Sequence, residues 1–102
     1  LSAHTVLGKK AGISAEGMAE AREGRSADAR TQAAINFALS LVENRGHVSD
    51  ADFAAIRAAG FDDEDIVEIV AHVALNLFTN YLNVSLEVPV DFPSVKPLRA
   101  AA

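Results

Sequence analysis

Four glycines set the punctuation that this chain obeys. Gly12, Gly24, Gly46 and Gly60 each follow a segment of alanine-rich or charged, helix-forming composition, where a left-handed residue past the last turn ends a helix. Four stops imply about five helices. Three of the restarts share one device: an apolar residue, a capping residue, and a second apolar residue five positions after the first. The pairs are Ile13 with Met18 around Ser14, Val48 with Phe53 around Ser49, and Phe61 with Ile66 around Asp62. Each forms a hydrophobic staple across an N-cap, which fixes the angle at which the next helix leaves the turn. Acids crowd the same first turns, with Glu16, Asp50, Asp52, Asp63, Glu64 and Asp65 placed to complement the helix dipole.

The spacing predicts helices near residues 1–11, 15–23, 27–45, 50–59 and 63–86, hence an all-α, antiparallel helical bundle over residues 1–88. In the third helix, Ala34, Ile35, Ala38, Leu39, Leu41 and Val42 make a wide apolar stripe expected to be buried. The last helix is apolar around nearly its whole circumference, from Ile66 to Val84, and is expected at the centre of a bundle or in a subunit interface. Beyond it, residues 89–102 hold all three prolines and read as an extended tail. The only strand-like run is Val84 to Val90, and no sheet is expected. A short echo, "AGISAEGMAEA" at 11–21 against "AGFDDEDIVEI" at 59–69, repeats one turn design without establishing a duplication.

Composition narrows the function classes. With 102 residues, half of them apolar, one small core fits. A net charge of −5 has the wrong sign for a surface that neutralises phosphates, so no nucleic-acid partner is expected. The helix, "AGIS", helix segment resembles a helix-turn-helix, but its second helix carries Glu16, Glu20 and Glu23 where base-reading side chains would stand. No apolar run approaches the roughly 20 residues that cross a bilayer, and no signal-peptide pattern is present; a cytoplasmic protein without a membrane partner is expected. The chain has no cysteine, which removes disulfides and thiolate metal sites from the residues shown.

Three histidines and one polar stripe are the chemical candidates. His72, Asn76, Asn80 and Asn83 follow spacings of four, four and three along one side of an otherwise apolar helix, with Tyr81 nearby. They form either a solvated or interface edge with ordinary amide hydrogen bonds, or the polar wall of a substrate pocket. His47 follows Gly46 and is expected at the surface, bonding the last carbonyls of the third helix. His4 stands near the start of the chain among Ala3, Val6 and Leu7. The histidines at 4, 47 and 72 show no ligand spacing, so no metal and no bound cofactor are expected.

The stretch "LSAHTVLGKKAGIS" resembles the segment that follows the catalytic cysteine in the alkylhydroperoxidase D-like, carboxymuconolactone decarboxylase-related family. The stretch "GHVSDADFAAIRAAGFDDEDIVEIVAHVALNLFTNYLN", closed by "VDFP", resembles the rest of its peroxidase-related members. The resemblance spans nearly the whole chain and implies a helical bundle of the alkylhydroperoxidase D-like type, assembled as a homo-oligomer. Members carry Cys-x-x-Cys, then three residues, then His, with a glutamate one helix upstream. Matched to that pattern, His4 takes the place of the family's histidine, and a redox cysteine pair is expected upstream, its second member immediately before Leu1.

The implied function of the intact protein is thiol-dependent reduction of a small-molecule hydroperoxide. A histidine at i+4 from the thiol can take its proton, and the resulting disulfide is reduced by a dithiol partner. Of that machinery only His4 lies in the 102 residues, so the segment by itself is expected to be inactive. Two other readings stay open. One is carboxymuconolactone decarboxylase-like acid–base chemistry without thiols, and the other is a helical assembly module with no catalysis of its own.

Overall fold

The computed structural model describes residues 2–96, with nothing stated of the Ser2 side chain. Leu1, residues 97–102 and the cysteine expected before Leu1 lie outside the described residues, and with them the last part of the expected tail. Among the described residues the fold is all-helical, with α1 (Ser2–Lys10), α2 (Ala15–Arg22), α3 (Ala29–Glu43), α4 (Asp50–Ala58) and α5 (Asp63–Ser85). Val84 to Val90 forms no strand; it is the end of α5, a turn at 86–87 and residues without regular secondary structure.

The expected caps are in place. Ser14, Ser49 and Asp62 accept hydrogen bonds from the backbone N–H of Gly17, Asp52 and Asp65, three residues into α2, α4 and α5. At α5 the arrangement is reciprocal, because the Asp65 carboxylate also accepts from the Asp62 N–H at 3.0 Å. α3 starts two residues later than its composition suggests. Its cap is Asp28, whose carboxylate accepts from both the N–H and the hydroxyl of Thr31.

All five helices end in the same paired hydrogen bonds, with the second residue past the cap donating to the carbonyl five back and the first donating to the carbonyl three back. At α4 these are Phe61 N–H to Ile56 O and Gly60 N–H to Arg57 O. The first residue past the cap must be left-handed. Gly12, Gly24 and Gly60 fill that role for α1, α2 and α4, with φ of 89°, 73° and 94°. At α3 the role belongs to Arg45 (φ 52°), one residue before the expected Gly46, and at α5 to Glu87 (φ 50°), with no glycine nearby. His47 is exposed and donates its backbone N–H, not its ring, to the Asn44 carbonyl.

Helix α4 runs back along α3. Its first turn meets the latter half of α3 where the Ser40 hydroxyl donates to Asp52, and its far end meets the start of α3 where Arg30 lies over the Phe61 ring. α5 then runs beside α3 in the same sense, with Ile66 in the core and Val73, Leu77 and Tyr81 beside Leu41 and Arg45. α1 packs against α2, where Met18 and Ile13 close on Gly8. The α2–α3 connection is held by Gln32, which accepts from the Ser26 N–H and donates to the Gly24 carbonyl and to Asn36.

The core centres on Phe37, Ile56 and Ile66, with Val48, Phe53, Phe61 and Ile69 packed around them. Phe37 and Phe53 meet edge to face, ring centroids 5.6 Å apart. This corrects the expected stripe on α3. The buried residue is Phe37, because α4 and α5 converge on its side, while Leu39 and Val42 remain 45% and 47% exposed. It also corrects the central position expected of α5, which packs against α3 on one side and leaves its opposite side uncovered.

Candidate functional site

The uncovered flank of α3 and one side of α5 enclose an open groove of about 470 Å³. Ala34, Ile35, Ala38 and Val42 form its α3 wall, and Ile69, Val73 and Leu77 its α5 wall. His72, Asn76 and Asn80 stand along its rim at successive turns of α5, with Thr31 across from them on α3. The volume lies within the range of small-molecule pockets, and the lining has their usual pattern of an apolar body with few polar groups.

The rim is partly engaged by its own helix. Asn76 donates its amide to the His72 carbonyl at 2.8 Å, and the Thr79 hydroxyl donates to the Asn76 carbonyl at 3.2 Å. His72 Nε2 lies 3.6 Å from the Glu68 carboxylate, an exposed pair of little energetic consequence. The Thr31 hydroxyl is committed to Asp28 at 2.6 Å, and together with the Thr31 N–H it holds the Asp28 carboxyl below its ordinary pKa. What the groove offers a ligand is therefore an apolar floor, the imidazole of His72 and the side-chain amides of Asn76 and Asn80.

The structure divides the expected polar wall. His72, Asn76 and Asn80 share the groove, whereas Tyr81 lines a second opening of about 310 Å³ on the other flank of the α3–α5 contact, with Val70, Leu41 and Arg45. Asn83 lines neither. The physical reason is helical phase, since a step of one residue from Asn80 to Tyr81 rotates the side chain by about 100°. His4 lines neither opening; it is exposed on the first turn of α1, one turn before Gly8, where α1 meets α2. Thr31 was not singled out by sequence pattern, and an isolated threonine near a helix start carries no signal beyond capping.

Among the described residues, no group of three or more His, Asp or Glu side chains converges in a metal-binding arrangement. None of the helices is long and apolar enough to cross a membrane. No protein-family model, curated protein or solved structure matches the chain.

Proposed function

We propose that the intact protein is a cytoplasmic, thiol-dependent hydroperoxide reductase with an alkylhydroperoxidase D-like fold, and that His4 is its proton relay. The observation that carries this reading is the position of His4. It is solvent-exposed on α1, and a residue directly preceding Leu1 in a continuing helix would stand four positions before it, on the same side and about one turn away. An imidazole there can draw the proton from a thiol and keep it as the reactive thiolate. The resemblance of "LSAHTVLGKKAGIS" to the segment following a catalytic cysteine supports the same assignment.

In this reading the thiolate attacks the distal oxygen of the hydroperoxide, the O–O bond breaks, and an alcohol leaves as sulfenic acid forms. A second cysteine thiol condenses with the sulfenic acid, releasing water and forming a disulfide, which an external dithiol reduces. His4 delivers the proton that the leaving alkoxide requires. His4 is not among the residues that line the groove beside His72.

The test is peroxide-dependent oxidation of a dithiol by the protein carrying its native residues upstream of Leu1. His4→Ala is expected to lower the rate at least about 100-fold, the usual contribution of a positioned acid–base group. An unchanged rate, or a native residue other than cysteine at the position before Leu1, overturns the proposal.

A further inference from the structure

The helices pack in two groups. α1 closes on α2 where Met18 and Ile13 meet Gly8, and α3 holds α4 and α5 around Phe37, Ile56 and Ile66. Among the described residues no side chain of α1 or α2 is buried, and none joins that core. The α1–α2 hairpin therefore gains little from apolar burial and depends on particular ties. One set lies in the α2–α3 connection, where Gly24 meets Leu39 and Gln32 bonds both Gly24 and Ser26.

A further tie arrives from the other end of the chain. The guanidinium of Arg22, the last residue of α2, donates to the Lys96 carbonyl, 74 residues away in sequence. The path follows from how α5 ends. Left-handed Glu87 turns the chain off the helix axis, the Val88 N–H closes on the Asn83 carbonyl at 3.0 Å, and Pro89 cannot continue the helix. Residues 88–96, when extended, span up to about 30 Å, close to the length of the helix they leave. Val95, beside the bonded Lys96, is half-buried. Pro89 and Pro93 fix φ at two positions, which lowers the entropy lost when the segment is held down.

We infer that residues 88–96 form a strap that docks on α2 through Arg22 and holds the α1–α2 hairpin against the α3–α5 body. Release of the strap frees α1 and α2 to move as one unit, because their mutual contact at Gly8 is left intact, and His4 moves with them. The tail is thus a conformational control on the helix that carries the imidazole.

Hydrogen exchange of the 102-residue chain, read amide by amide, tests this. Arg22→Met keeps the aliphatic stem and removes the donor. It is expected to speed exchange in α1 and α2 about tenfold, the effect of one hydrogen bond from a charged group, and to leave α3, α4 and α5 unchanged. Ending the chain at Glu87 removes the acceptor and should accelerate the same two helices at least as much. Helical circular dichroism should be retained in that shortened chain, because the core draws on no described residue after Ile69. Arg22→Met should add little there, since its partner is gone. Unchanged exchange in α1 and α2 for either variant, or an acceleration spread evenly over all five helices, overturns the inference. So does an Arg22→Met effect as large in the shortened chain as in the full one, which would assign Arg22 to its own helix end. Exchange is read without peroxide or thiol, so its outcome is independent of the role proposed for His4.

Discussion

Ser40 on α3 donates its hydroxyl to the Asp52 carboxylate on α4 at 2.7 Å, and Asp52 in turn donates its backbone N–H to Ser49, the cap of the same helix. One side chain thus ties the start of α4 to the latter half of α3. The bond from Ser40, followed by that involving Ser49, holds the Asp52 carboxyl below its ordinary pKa of 3.8. Thr31 does the same for Asp28 at the start of α3.

These two carboxylates give stability a defined acid limb. A carboxyl whose folded pKa is depressed contributes stability that is fully present above its unfolded value and is lost as pH falls through the folded one. The melting temperature is therefore expected to be flat from neutrality down to about pH 5 and to drop below the unfolded value of 3.8. Ser40→Ala should flatten that drop. Thermal melts followed by circular dichroism at stepped pH measure both, and an acid limb as steep in Ser40→Ala as in the parent contradicts the assignment.

Phe37 and Ile56 are the most tightly enclosed of the three buried residues. Phe37→Ala should cost about 3–5 kcal/mol and Ile56→Ala about 2–5 kcal/mol. Small domains have about 5–15 kcal/mol in total. Either substitution is expected to bring the chain close to unfolding at room temperature, read as a shift of the urea midpoint towards zero.

The helix ends yield a prediction whose sign changes with position. Gly60 sits at φ 94° with open space where a Cβ would go, so Gly60→Ala meets no clash and its cost is conformational, about 1–2 kcal/mol. Arg45 occupies the equivalent place after α3 with a side chain already present, at φ 52°. Arg45→Gly should therefore stabilise, by about 1 kcal/mol. Denaturant titration of both variants checks the pair.

Asp62 and Asp65 cap α5 reciprocally. Asp62→Ala should cost about 1 kcal/mol, and Asp62→Asn or Asp62→Ser should recover most of it, because the cap needs only an acceptor oxygen. A loss in Asp62→Asn as large as in Asp62→Ala would assign the effect to charge instead.

Much of the architecture was legible because it is local. The starts of α2, α4 and α5 follow from Ser14, Ser49 and Asp62, each one residue past an apolar staple partner, and such signals need no knowledge of tertiary packing. The end of α3 was displaced by one residue because Arg45 accepts a left-handed conformation that composition assigns to Gly46. Burial was less legible. Apolar periodicity marks a face of α3 but not which part of it meets α4 and α5, so it points to Leu39, which is half-exposed, and not to Phe37, which is buried. Of the four polar residues that spacing puts along one side of α5, His72, Asn76 and Asn80 line the same groove and Asn83 does not, while Tyr81, one residue out of phase with Asn80, lines the second opening.

Among the described residues only Phe37, Ile56 and Ile66 are sealed from water, and this sets how the lone chain responds to temperature. Unfolding it uncovers little new apolar area, so the heat-capacity increment is small and the stability curve is shallow, without the strong dome of a well-filled domain. With so small a curvature its stability falls on warming but is not eroded on cooling as that of a well-filled domain is.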